Sequence, residues 1–197
     1  MSVMILGLVL FLGVHSVRIV ADGWRSATLA RIGEGGWKGV YTALSLLGFG
    51  LIIWGFGLAR QQPVVLWNPP VWTRHLAALL TLPAFIFLVA AYVPGNAIKA
   101  RLKHPMVLGV KVWALAHLIA NRTLADELLF GAFLLWAVLA FRSLRQRDRA
   151  AGVVYPAGRA GPTVVAVVVG VLIWAGFAFW AHGLLIGVRP FGGAIPR

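Results

Sequence analysis

Cysteine is absent from all 197 residues. That excludes disulfides, thiolate catalysis and Cys-ligated metal or haem, and leaves histidine as the strongest metal ligand in the chain. Acidic residues are nearly as scarce, at 5 Asp+Glu against 18 Lys+Arg, for a formal net charge of +13. Charged residues make up 12% of the chain, about half the fraction usual in soluble domains, so no polar region is long enough to fold alone. What is abundant is apolar: 60% of residues are hydrophobic and the mean hydropathy is +0.88. This is the composition of an integral membrane protein, expected as a single membrane domain over 1–197. In a soluble chain the positive excess would point to nucleic acid. Here it falls in short connections, where it sets topology and meets anionic headgroups. The expected partner is therefore the lipid bilayer and not nucleic acid.

Six apolar runs predict an all-α, polytopic bundle of about six transmembrane helices: 3–21, 38–59, 71–93, 105–120, 124–141 and 163–187. A span needs about 20 residues, so the fourth and fifth runs are short, parted only by Asn121–Thr123. The N-terminus lacks the positive start and A-x-A site of a cleaved signal peptide and is expected to remain as the first helix. Turn-rich "QQPVVLWNPP" (61–70) and "VPGN" (93–96) mark joints, Pro105 suits a first helical turn, and Thr123 with Asp126 forms a capping box. Basic residues set the orientation. Arg18, Arg25, Arg31, Lys38, Lys99, Arg101, Lys103, Arg142, Arg145, Arg147, Arg149 and Arg159 fall on one side, and Arg60, Arg74, Arg122, Arg189 and Arg197 on the other. The positive-inside rule then places both termini outside the cytoplasm, in a multi-pass protein of the inner (plasma) membrane. Trp24, Trp37, Trp67, Trp72 and Trp180 lie where interfacial belts form, while the deeper Trp54, Trp113, Trp136 and Trp174 are expected to pack. The glycines of "GFGLIIWGFG" (48–57) predict close helix–helix approach.

Five histidines carry the candidate chemistry: His15, His75, His104, His117 and His182. Ionisable groups within a membrane are functional candidates by default, histidine least so because it can stay neutral at small cost. His15 lies inside the first run and His117 inside the fourth. His75 and His182 belong near the outer face and His104 near the cytoplasmic one. Arg18 follows His15 by three residues on the same helical face, with Asp22 a further four along. Lys111 lies two turns beyond His104. Both cations have a plain reading as snorkelling side chains and a functional one as anchors for an anionic cofactor group. "GEGGWKG" (33–39) is not a phosphate loop by pattern, since no strand precedes it and no GK[ST] follows.

"FLGVHSVRI" near the N-terminus together with "KHPMVLGVKVWALAHLIAN" (103–121) resembles the NnrU family over nearly the whole chain. That family in turn resembles the membrane enzyme 15-cis-ζ-carotene isomerase. The resemblance implies a haem b site. The isomerase's axial ligands, a first-helix His in an HS motif and the His of an ALAH-like motif, fall on His15 and His117. Arg18, Lys111 and His104 become candidate cofactor contacts. The isomerase also carries a cysteine three residues before the second ligand; here that position is Ala114, so a thiol-dependent ligand switch does not carry over. The family name is linked to nitric oxide reductase expression and denitrification, which makes nitric oxide or a hydrophobic small molecule the expected ligand class. Bis-His iron suits redox or isomerase-like chemistry.

The pairing sets a geometric requirement. His15 lies roughly 21 Å along a helix from Met1, and His117 roughly 6 Å before the end of its helix. The two can share one iron only if the 120–124 turn is sunk or the first helix protrudes. Otherwise His75, His117 and His182 would form an outer metal-binding cluster. Two further readings come from other classes. One is a cofactor-free assembly factor whose histidines bond between helices. The other is a methyltransferase, because Lys103–Gly109 resembles the His-Pro motif of the isoprenylcysteine-type membrane enzymes, which helps hold S-adenosylmethionine.

Overall fold

A computed structural model describes residues 1–191. Among these, the helices are α1 (Ser2–Val20), α2 (Asp22–Ala59), α3 (Val71–Tyr92), α4 (Ala97–Leu102), α5 (Pro105–Ala120), α6 (Leu124–Ala150), α7 (Ala160–Gly176) and α8 (His182–Ile186), with a π-helical stretch, Phe177–Ala181, between the last two. The chain is an all-α membrane protein. α1, α2, α3, α6 and the 160–186 stretch are long and apolar enough to cross a bilayer. Their outer surfaces are oily: Leu47, Ile53, Leu79, Leu135 and Leu172 are each more than half exposed, the pattern of side chains that face lipid. α5, the fourth apolar run, has 16 residues. At 1.5 Å per residue it reaches about 24 Å, short of the ~30 Å hydrocarbon thickness. Arg197, counted above toward topology, lies outside the described residues.

The elements group into two compact units. The first joins Met1–Asn68 with Arg122–Ser143. Here α1 lies directly on α2, because three glycines strip side chain from the seam. A methyl group on Gly55 would sit 2.2 Å from the Met4 nitrogen, one on Gly7 2.6 Å from that of Ile52, and one on Gly48 2.8 Å from that of Phe11. Two of the four glycines in 48–57 therefore make the expected approach, one heptad apart, whereas Gly50 and Gly57 meet nothing within 4 Å. α2 starts earlier than the apolar run implies. A turn at Ala21 opens helix 22–32, which Gly33 interrupts at φ 73°, ψ 170°, a conformation essentially confined to glycine, before helix 34–59. Trp54, expected to pack, is 61% exposed and faces outward like its apolar neighbours. The loop after α2 pairs with the start of α6: Leu66 N–H donates to Arg122 O (2.8 Å) and Leu124 N–H to Val64 O (2.9 Å). The capping box forms as read, Thr123 N–H donating to Asp126 Oδ2 (3.0 Å) and Asp126 N–H to Thr123 Oγ1 (3.3 Å).

The second unit joins Pro69–Asn121 with the described residues from Leu144 onward. α3 is its centre and carries α5 and α7. Gly109 places α5 against the Ala84 carbonyl, and Gly170 places α7 against Ile86. The α3–α4 joint is held by Asn96, 1% exposed. Its amide donates to the carbonyls of Ala90 (2.8 Å) and Val93 (2.5 Å), and its Oδ1 accepts from Lys99 N–H (2.7 Å). One side chain thus ends α3 and caps α4, satisfying groups that a lipid environment would leave costly. α6 runs beyond its apolar part to Ala150, because the arginines there are good helix formers whose heads reach water. The last apolar run is not one uniform helix: it passes through the π-helical stretch and stops at Gly187, φ 75°.

Candidate functional site

His15 sits on α1 among aromatic rings of the first unit. Its ring stacks on Phe11 at 4.2 Å, lies 5.1 Å from Tyr41 and stands edge-on to Trp136 at 6.1 Å. Phe49 and Phe133 close on Phe11 at 6.1 and 5.9 Å. The imidazole Nδ1 is 2.7 Å from Phe11 O, four residues back. A carbonyl can only accept, so Nδ1 carries the proton and, in the neutral ring, Nε2 holds the lone pair. The sequence places this ring where it does because Gly48 lets α2 reach the Phe11 backbone, fixing the register of the same turn. Beside His15, the buried Trp136 Nε1–H has no acceptor among the described residues. A buried donor left unmade costs about 1–3 kcal/mol.

His117 repeats the arrangement in the second unit. Its Nδ1 donates to Trp113 O at 2.9 Å, and the Trp113 ring lies 5.2 Å away. The proton is again fixed on Nδ1. Orientation of the ring by a backbone carbonyl on the far nitrogen is the form that supports a histidine ligand. Ala114, on the same turn, is fully buried. His75 is exposed, and His182 donates from Nδ1 to Val188 O at 2.6 Å. Among the described residues no three His, Asp or Glu side chains converge to hold a metal ion, so the outer His75–His117–His182 cluster does not form.

Arg18 makes an ion pair with Asp22 at 3.7 Å, both side chains more than half exposed. Arg25 reaches the same carboxylate at 4.0 Å. The i,i+4 partner named from spacing is therefore present. Lys111 is partly exposed on α5, seven residues beyond His104. Gly109, the last residue of the His-Pro stretch, is used for helix packing against Ala84 and Leu88.

His104 leads to a cluster that spacing did not reveal. It precedes α5, and its Nε2–H donates to Asp148 Oδ2 at 2.8 Å. The same oxygen accepts from the Tyr155 hydroxyl at 2.8 Å. Lys103 Nζ lies 5.5 Å from the centre of the Tyr155 ring, within cation–π range. Asp148 lies on the arginine-rich end of α6, past its apolar part, and Tyr155 in the polar loop that follows the helix. There the Tyr155 hydrogen bond, with the charge and hydrogen bond of His104, holds the Asp148 carboxyl below the usual carboxylate range. Partial burial, and then the hydrogen bond to Asp148, push the Tyr155 phenol up. The backbone before the helix is strained. Lys103 has φ 68°, ψ −51°, and His104 N–H donates to Leu102 O at 2.8 Å, which makes a γ-turn of the rare positive-φ kind. Such a residue costs of order 1–3 kcal/mol and persists where its surroundings fix it. Sequence reasoning assigned the arginine-rich 142–162 connection to topology alone. The available signal was the lone Asp148 and the lone Tyr155 among those cations.

A family model described as "NnrU: NnrU protein" matches residues 3–190, nearly the whole chain. No curated protein and no solved structure gives a match.

Proposed function

Since the chain belongs to the NnrU family, we propose that this multi-pass membrane protein binds haem b through His15 and His117. What supports the reading is the identical pinning of the two imidazoles. Each gives its Nδ1 proton to the carbonyl four residues back, which presents Nε2 as the ligating atom. The surroundings of His15 are apolar and aromatic, made by Phe11, Tyr41 and Trp136, and the Trp136 N–H, a donor without an acceptor among the described residues, is open to an acceptor on a bound group. Arg18 is the candidate counter-charge for a propionate on the His15 side and Lys111 on the His117 side. Arg18 would share its charge between that group and Asp22. When bound, haem b would supply a one-electron redox centre whose iron can take nitric oxide or another small molecule. Histidine ligation without a thiol favours redox or sensing chemistry over a cysteine-dependent isomerase cycle.

The test is the absorption spectrum of the purified full chain, oxidised and dithionite-reduced, after expression with ample haem. A Soret band with the sharp reduced bands of six-coordinate haem is expected. His15→Ala and His117→Ala should each convert it to a five-coordinate spectrum or abolish it. Absence of the band from well-folded protein would refute the proposal and favour a cofactor-free assembly factor. A spectrum unchanged in one variant would remove that ligand.

A further inference from the structure

We propose that the cleft between Lys103 and the Arg145–Arg149 turn of α6 binds a phosphate group. The cleft has a volume of about 280 Å³ and is lined by Lys103, Arg145, Asp148, Arg149, Gly152 and Val153. At roughly 30 Å³ per water molecule, it has room for a phosphate together with part of an organic substituent.

Three of its six lining residues are cations, and among the described residues none of the three forms an ion pair. Arg145 and Arg149 are one helical turn apart and so project from one face of α6. The single carboxylate in the lining does not cancel them. Asp148 Oδ2 already receives the His104 N–H and the Tyr155 hydroxyl, each at 2.8 Å, so part of its charge is answered from inside the protein. A positive surplus remains over the cleft. Guanidinium groups match the oxygens of a phosphate two at a time, which a point charge cannot do.

The third cation is placed at a cost. Lys103 keeps its strained γ-turn while its neighbour His104 is tied to Asp148 and its own ammonium rests near the Tyr155 ring. Asp148 therefore acts as a positioning residue, fixing the two side chains that hold Lys103 over the cleft. The site lies where the apolar part of α6 gives way to its arginine-rich end. A phosphate can reach such a boundary from a lipid headgroup or from a soluble phosphate ester.

Native mass spectrometry of the full chain distinguishes the sources. The protein, released from detergent, is loaded with dioleoyl phosphatidic acid or with dioleoyl phosphatidylcholine, and the phosphatidic acid arm is repeated with inorganic phosphate as competitor. Preferential retention of phosphatidic acid that inorganic phosphate does not displace assigns a lipid headgroup. Displacement by inorganic phosphate assigns a soluble phosphate. Each supports the site. Arg145→Gln, Arg149→Gln and Lys103→Gln should each weaken retention about fivefold, while Arg31→Gln, the same charge change outside the cleft, should leave it unaltered. Asp148→Asn should weaken retention even though it makes the cleft more positive, an outcome that bulk charge attraction cannot produce. Equal retention of the two lipids with no phosphate competition, or equal losses in the cleft variants and in Arg31→Gln, would overturn the proposal. The helical circular dichroism of each variant shows that it is folded.

Discussion

Replacing Gly55 by alanine should unseat α1 from α2, and the same change two residues later should not. A methyl group on Gly55 would lie 2.2 Å from the Met4 nitrogen and 2.6 Å from its Cα, where ordinary contact begins near 3.4 Å. The obstacle is backbone, which no rotamer change can move, so the helices must part by more than 1 Å. Even a gap of about 0.5–1 Å forfeits a quarter to a half of each dispersion contact along the seam, and this one is larger. Overpacking of this kind costs about 1–3 kcal/mol, and a rigid backbone obstacle puts Gly55→Ala at the upper end. Gly57 meets nothing within 4 Å. Gly57→Ala should therefore be neutral or gain up to about 1 kcal/mol from helix propensity. Reversible unfolding of both variants in mixed micelles measures the difference directly. Because Gly48 bears on the backbone of Phe11, whose carbonyl holds His15, Gly48→Ala should also disturb the environment of that imidazole, seen as a shifted ring resonance by NMR. Equal stability of Gly55→Ala and Gly57→Ala would refute the glycine-seam reasoning.

Asn96→Ala should cost about 2 kcal/mol, since it strands two α3 carbonyls and the cap of α4; the same unfolding assay reads it. Gly33→Ala should cost about 1–3 kcal/mol, because φ 73°, ψ 170° is strained for any side chain, and should lower the melting temperature without changing the number of spans found by cysteine-accessibility mapping. The Asp148 carboxyl is held below its unfolded value, so its contribution to stability is present above the ordinary carboxylate range and lost as pH falls through the lowered value. Thermal melts should therefore show wild type above Asp148→Asn near neutrality, with the two converging in acid. A gap independent of pH would contradict that origin.

Much of this fold was legible from hydropathy, because membrane spans announce themselves by length and the chain has few charges to blur them. The seam at Gly48 and Gly55 was legible as a glycine-rich stretch, but which two of its four glycines faced α1 was not, since helical register depends on the partner. The early start of α2 was hidden by its polar residues, and the break at Gly33 by the lack of any pattern that separates a glycine within a helix from one that interrupts it. His15 and His117 stood out as polar groups in apolar runs. The His104–Asp148–Tyr155 cluster did not, because its members are 44 and 7 residues apart in sequence and meet only through tertiary structure. Asn96 looked like one more turn residue; its triple hydrogen bonding follows from how α3 and α4 meet.

The first unit is built from two pieces of chain separated by more than fifty residues. During synthesis, α1 and α2 enter the bilayer well before Phe133 and Trp136 exist. At about 5–20 residues per second the delay is several seconds. Over that interval the Phe11–His15 face lacks the α6 rings that later line it, and Val64 O and Leu66 N–H wait for Leu124 and Arg122. The nascent hairpin thus carries an incomplete aromatic face and an unpaired loop edge until α6 arrives.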